Sequence, residues 1–349
     1  GMKKTGLLKR AGVAVMTAAL MVTAVACNTK IKVNFEAKAS DYVKLGQYKG
    51  ITVSVDEQAI ENELIEKKVQ NDLASNTTYD EVSREARDKD QVTVDFTGTI
   101  GGEEVSGFSN EDYSLILGTD TFVIDGFIDA LYGMSAGQTK VVILTVPEDF
   151  EDAPEYAGSR IVYNITMKKV EQPNVPMITD AYVQEYFSCN TVAEYRQSIK
   201  DDIQETIDEQ IEDAKKEAVL TKLQENCEIT GYPEEYLSSK QSELETSIKF
   251  YALMQGLSND EYCQKSFGIS FEEYVKRAVA QDLIFQSIIE QEDLSITDYE
   301  YKGDLESFAD KMGFTNKDSF VEKYGKDKIV RAMLLQKAQD VVMNSAVYE

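Results

Sequence analysis

The 349 residues exceed what one hydrophobic core usually organises, so two or three domains are expected. A formal charge of -26, from 36 basic and 62 acidic residues, repels phosphate backbones and anionic headgroups and excludes nucleic acid as a natural partner, while solubility alone accounts for such acidity. The complete lack of histidine removes Ser-His-Asp and Cys-His catalysis, histidine proton shuttles and most zinc sites in one step.

Gly1 is set aside as an addition ahead of Met2. Lys3, Lys4, Lys9 and Arg10 form a positive n-region, and the uncharged run Ala11 to Ala26 has the character of a secretory h-region. That run is shorter than the about 20 apolar residues a spanning helix needs. Ala24-Val25-Ala26-Cys27 resembles a lipobox, although Ala24 stands where leucine is commonest. The resemblance implies that residues 1–27 are a lipoprotein signal, that Cys27 is lipidated, and that the mature protein is extracytoplasmic and lipid-anchored to the cell membrane. Cys189, Cys227 and Cys263 remain, an odd number at wide spacing, and read as small buried apolar residues with room for one disulfide. No D-x-D-x-D-G loop occurs, and neither a metal nor a cofactor is expected.

Residues 28–41 are polar and mixed, as in a flexible tether. In the segment 42–87, Ile51 to Val55 alternates as a short strand, and Asp56 can cap a helix carrying Ala59, Ile60, Leu64 and Ile65. Over 88–172 the pattern becomes short strands between glycine turns: Val92 to Phe96, Tyr113 to Leu117, Lys140 to Val146 and Ile161 to Val170. These form an antiparallel sheet, and Ile124 to Leu131 has the spacing of one short helix against its concave face. Pro173 and Pro176 mark a connection.

From 173 to 349 helix signals dominate. Thr191-Val-Ala-Glu194, Ser270-Phe-Glu-Glu273 and Thr297-Asp-Tyr-Glu300 are capping-box sequences. Ile199, Ile203, Ile207 and Ile211 recur every four residues on one face of a long amphipathic run. Pro233 suits the first turn of a helix with Leu244, Ile248, Tyr251 and Met254 on its apolar side, and a last helix runs through Ile329, Met333, Leu334, Val341 and Val342. The fold class is α+β: an antiparallel sheet wrapped on a short helix, followed by an all-α domain of several helices.

Val94-Asp95-Phe96-Thr97-Gly98-Thr99-Ile100-Gly101-Gly102-Glu103, Tyr113-Ser-Leu-Ile-Leu-Gly118, Gly126-Phe127, Gly133-Met-Ser-Ala-Gly137, Pro147-Glu-Asp-Phe150 and the strand Tyr163 to Val170 stand in one order and spacing. Together they resemble the FKBP-type isomerase domain of trigger factor. Leu45-Gly46-Gln47-Tyr48-Lys49-Gly50 is similar to the family's approach to that domain, and Asp298-Tyr-Glu-Tyr and Phe320-Val-Glu-Lys-Tyr-Gly-Lys are similar to its chaperone module. The resemblance covers residue 42 to the C-terminus. It includes no counterpart of the ribosome-docking domain, where a signal sequence stands instead, so no ribosome contact is expected.

The resemblance implies a peptidyl-prolyl cis-trans isomerase and chaperone that assists exported proteins, with unfolded or proline-containing polypeptides as partners. Its pocket would have Phe96 on one wall, Tyr113 and Phe150 at the rim, Val123 and Ile124 beneath, Phe127 at the floor and Tyr163 opposite, with the Ile124 N–H holding a substrate carbonyl. Val105 stands where the family usually has phenylalanine, Ser106 where an acidic residue is frequent, and Asp125 where proline is common. Those departures support an alternative, a holdase that binds unfolded chains with little or no catalysis. Apart from the resemblance, aromatics in short strands are usually plain core. In the helical half Phe250, Tyr251, Leu253, Met254 and Met312 are candidates for a cradle that holds unfolded chains.

Overall fold

The computed structural model describes residues 29–349; Cys27 and the signal-like run before it lie outside the described residues. In chain order the elements are β1 (Val43–Lys44), β2 (Thr52–Val53), α1 (Glu57–Ser75), β3 (Thr78–Glu81), β4 (Gln91–Ile100), β5 (Glu103–Glu104), β6 (Asn110–Ile116), α2 (Phe127–Leu131), β7 (Thr139–Thr145) and β8 (Arg160–Asn174). Then follow α3 (Asp180–Tyr186), α4 (Val192–Asp202), α5 (Gln204–Asn226), β9 (Glu228–Ile229), α6 (Glu234–Met254), α7 (Asn259–Phe267), α8 (Phe271–Glu292), α9 (Asp298–Lys311), α10 (Lys317–Tyr324), α11 (Lys326–Ser345) and β10 (Val347–Tyr348). The α+β architecture is thus the one expected. The chain separates into two units: one takes the described residues up to Asp56, Glu209–Ile248 and Cys263–Glu349, the other Glu57–Asp208 with Lys249–Tyr262.

The second unit holds a six-stranded antiparallel sheet in which β4 and β8 are central, flanked by β3, β5, β6 and β7. β8 shows why it is a strand: Ile161, Tyr163, Ile165 and Met167 are buried in strict alternation, with Arg160, Asn164 and Lys168 exposed between them. The alternation slips at Lys168, which has no partner across β4, because Thr93 pairs with Lys169 and Val94 with Met167. β8 also outruns its sequence-predicted end at Val170, since Glu171 to Asn174 pair with β3. Pro173 is tolerated there because β4 pairs with β8 only as far as Glu171 and leaves one side free of bonds.

α2 packs into the sheet core through Phe127 and Leu131, four residues apart and fully buried. Gly126 before it adopts φ 88°, and a Cβ there would come within 2.8 Å of the Leu144 side chain. At the base of the sheet Asp90 is buried in a two-pronged pair with Arg84, at 2.6 and 3.0 Å, and also accepts the Arg87 N–H at 2.9 Å. Burial pushes this carboxyl up, but the guanidinium and the N–H prevail and hold it below the usual aspartate range.

The same unit has a second, smaller core in which α1 meets α3 and α4 through Ile65, Val69, Leu73, Tyr182, Val183, Tyr195 and Ile199. The Tyr195 hydroxyl donates to Asp72 at 2.6 Å, and Arg196 and Lys200 reach Glu66 and Glu61. The strand and helix that sequence reading joined therefore part at Asp56: α1 stays here, while β2 pairs in parallel with β10 in the other unit.

In that other unit α8 is the central helix, with Val275, Val279, Leu283, Ile284, Phe285, Ile288 and Ile289 buried. Its charged residues Glu272, Glu273, Arg277 and Glu290 stay exposed. α11 adds Ile329, Val330, Met333, Leu334, Ala338 and Val342 to the same core, and α5 adds Val219 and Leu223. The capping residues act as expected: Thr191, Ser270 and Thr297 accept the N–H of Glu194, Glu273 and Glu300, and Thr297 with Glu300 completes the reciprocal box. The run of isoleucines is not one helix, however, because Ile203 leaves helical geometry as the cap of α4 before α5 starts. Among the described residues no disulfide joins Cys189, Cys227 and Cys263.

Residues expected as a free tether are docked instead. The Ile31 N–H donates to the Ile296 carbonyl at 2.8 Å, the Asp298 N–H to the Thr29 carbonyl at 3.1 Å, and Glu290 accepts the Ala39 N–H at 2.9 Å. Ile31, Val33 and Phe35 pack against the helical core, and the Arg331 guanidinium lies 4.1 Å from the centre of the Phe35 ring.

Candidate functional site

The concave side of the sheet gathers rings from four elements. β4 contributes Phe96, β6 Tyr113, α2 Phe127 and β8 Tyr163. Phe96 lies 4.9 Å from Phe127, 5.6 Å from Tyr113 and 5.8 Å from Tyr163, and Phe127 lies 5.1 Å from Tyr163, all edge to face. Such pairs contribute about 0.5–1.5 kcal/mol each beyond their buried area. Phe127 and Tyr163 are fully buried, Phe96 nearly so, and Tyr113 half-buried at the edge.

Ile124 is buried, its carbonyl accepts the Phe127 N–H at 3.3 Å, and its own N–H has no acceptor among the described residues. Two of the expected residues stand apart. Val123 is 54% exposed and turned to solvent. Phe150 packs on Phe108, 5.5 Å away, and Phe108 in turn meets Tyr156. Phe108 was not foreseen; a Cβ on Gly98 would come within 2.8 Å of it, so the glycine between Thr97 and Thr99 is what lets it settle on the sheet. Val105, where an aromatic was missing from the pattern, is half-buried against the same core, and Ser106 is exposed.

Phe122 was also missed. Its ring stacks on Phe127 with centroids 3.9 Å apart and planes 19° from parallel, and it meets Phe96, Tyr113 and Tyr163 edge-on. A lone aromatic in a polar turn has no periodicity to betray it; its position directly before Val123-Ile124 was the available signal.

The chemistry of this box is dry and almost neutral. The Tyr163 hydroxyl is buried without a hydrogen-bond partner, and desolvation pushes its pKa well above the usual phenol range, so it stays a neutral O–H donor. No group here can shuttle a proton near neutrality. What the box offers is shape, ring faces and a low dielectric.

Residues 82–168 match the family model of the FKBP-type peptidyl-prolyl cis-trans isomerase, and residues 191–344 match that of the bacterial trigger factor C-terminus. The chain joins an FKBP-type domain to a trigger factor C-terminal domain. Trigger factor of Caldicellulosiruptor bescii is 29% identical over 326 residues, spanning 90% of this chain and 74% of the relative. Trigger factor of Caldicellulosiruptor saccharolyticus is 27% identical over 326 residues, again 90% and 74%. A solved trigger factor chaperone aligns over 86% of this chain and 72% of its own, with 19% identity and a TM-score of 0.42. The ring box belongs to the FKBP-type domain, and α4 to α11 to the trigger factor C-terminal domain.

Proposed function

We propose that this protein is a foldase of the cell exterior: a peptidyl-prolyl isomerase whose FKBP-type domain acts on prolines of chains held by the trigger factor C-terminal domain. The observation that carries the reading is the packing of Phe96 and Tyr163 on Phe127, with Tyr113 against Phe96, in a buried, proton-inert ring cluster. Rotating an X-Pro bond crosses a barrier of about 18–20 kcal/mol set by amide resonance. Twisting the amide weakens that resonance, and moving its carbonyl out of water penalises the planar, more polar form. An apolar ring-lined site therefore favours the twisted state over both planar ones without moving a proton. The Ile124 N–H supplies the substrate's carbonyl with a donor. Helices that hold an unfolded chain raise the local concentration of its prolines at that site.

The signal-like run and Cys27 support export and a lipid anchor, and the repulsion between a -26 chain and anionic headgroups fits an anchor that is lipid rather than a basic patch. Incorporation of labelled fatty acid that is lost in Cys27→Ser checks the anchor.

A second reading, a holdase with little catalysis, is favoured by Phe122 lying on Phe127 and by Val105 and Ser106 in place of the usual residues. Proline-limited refolding of a model substrate, with residues 28–349 as catalyst, separates the two. Acceleration that disappears in both Phe127→Ala and Tyr163→Ala supports the isomerase. Suppressed aggregation without acceleration supports the holdase.

A further inference from the structure

Phe122 interrupts a segment that is otherwise exposed: Gly118 to Thr121 and Val123 face solvent, and only this ring turns inward. The base of the loop is fixed, because the Asp120 carboxylate accepts the Ile116 N–H at 2.7 Å and the Asp120 N–H donates to the Ile116 carbonyl at 2.9 Å. The other end leaves through Gly126 at φ 88°. Nothing but the box itself holds the Phe122 ring, so releasing it exposes one side chain and breaks no hydrogen bond of the loop base.

Its position is the informative part. A flat apolar ring laid face-on against Phe127 and boxed by the edges of Phe96, Tyr113 and Tyr163 occupies the space in which a prolyl ring finds the most contact. The same box contains an anomaly: the Tyr163 hydroxyl is the one buried side-chain polar atom among the described residues with no partner. Buried donors left unmade are costly and call for a reason, of which a group supplied by a ligand is one.

Resting on the proline-binding reading above, we propose that Phe122 is a built-in occupant of the proline seat, displaced by an entering prolyl ring, and that the Tyr163 hydroxyl then donates to a carbonyl of the bound peptide. The free domain keeps its hollow closed to water and to casual apolar ligands. Only a residue that outcompetes a tethered phenylalanine, and also brings a carbonyl, gains entry. Affinity for substrate is then reduced by the fraction of time the seat is self-occupied.

The chain has no tryptophan, so Phe122→Trp introduces a single indole at the occupant's position. Titration with a blocked Ala-Leu-Pro-Ala peptide is expected to shift its emission to longer wavelength in a saturable way, and the Ala-Leu-Ala-Ala peptide is expected to leave it unchanged. By NMR titration Phe122→Ala should bind the proline peptide about tenfold more tightly than wild type, as a self-occupied seat requires. Tyr163→Phe should bind it about tenfold more weakly, with an unfolding midpoint equal to or above that of wild type, because an unmade donor has been removed. Equal or weaker binding by Phe122→Ala, or an indole that stays buried at saturating peptide, would overturn the occupant; undiminished binding by Tyr163→Phe would overturn the hydroxyl's role. If neither wild type nor any variant binds the proline peptide, the proline-binding reading itself fails, a result distinct from these.

Discussion

The FKBP-type domain and the trigger factor C-terminal domain handle their aromatic and methionine side chains in opposite ways. The first links five rings, neighbouring centroids 3.9 to 6.3 Å apart, drawn from a short helix, three strands and the turn before the helix. The second leaves Phe250 and Met254 each 63% exposed at the end of α6, and Met312 exposed after α9. A site that works by environment needs convergence and dryness, and rigid elements to hold them. A surface that is to grasp many sequences needs accessible, adaptable groups with little dependence on their neighbours. The difference therefore predicts that stability and activity are coupled in one domain and separable in the other.

The largest effect is expected for Phe127→Ala. Truncating a fully buried ring at the centre of the box should cost the sheet domain about 3–5 kcal/mol, read by urea unfolding, and abolish any acceleration of refolding. Asp90→Asn comes next. The wild-type carboxyl has a folded pKa below its unfolded one, so its contribution is fully present above the ordinary aspartate range and is lost as pH falls through the folded value. The variant should be less stable at neutral pH and lose less on acidification below about pH 4, a flattening measurable by acid titration of the circular dichroism signal. Thr297→Ala removes the reciprocal capping box of α9 and should cost about 1 kcal/mol, in the helical unit alone. Phe250→Ser combined with Met254→Ser marks the other extreme: unfolding should change by no more than about 0.5 kcal/mol per site, while suppression of aggregation weakens. A double variant as destabilising as Phe127→Ala would break the contrast; one that retains full holding activity would move the grasping surface elsewhere.

What the sequence revealed and concealed follows from range. Four of the six strands of the sheet were legible because each carries its own period of two, whereas β3 and β5 are too short to show one, and the caps were legible because the signal spans four residues. The break at Ile203 was hidden because the four-residue spacing of isoleucines continues across it. The pairing of β2 with β10 was hidden because two-residue strands from opposite ends of the chain leave no local trace. Within the box, Phe96, Tyr113, Phe127 and Tyr163 were nameable through their order in a known pattern. Val123 was misplaced because a position next to Ile124 in sequence points the other way in space, and Phe122 because it lies in a turn. The docking of residues 31–36 could have been read: Ile31, Val33 and Phe35 alternate with Lys32, Asn34 and Glu36, and the first three are the ones turned inward.

On the proposed lipid anchor, that docked strip would shorten the protein's reach. Had the chain been free as far as residue 41, a lipid at Cys27 would have let the helical unit roam tens of ångströms above the bilayer, at about 3.5 Å per residue of slack. With Thr29 already fastened to Asp298, a lipid at Cys27, as proposed above, would have only Asn28 between it and the docked strip. An anchor of that kind would work less as a mooring rope than as a short rivet, and would confine the proposed foldase to clients in the first molecular layer outside the membrane.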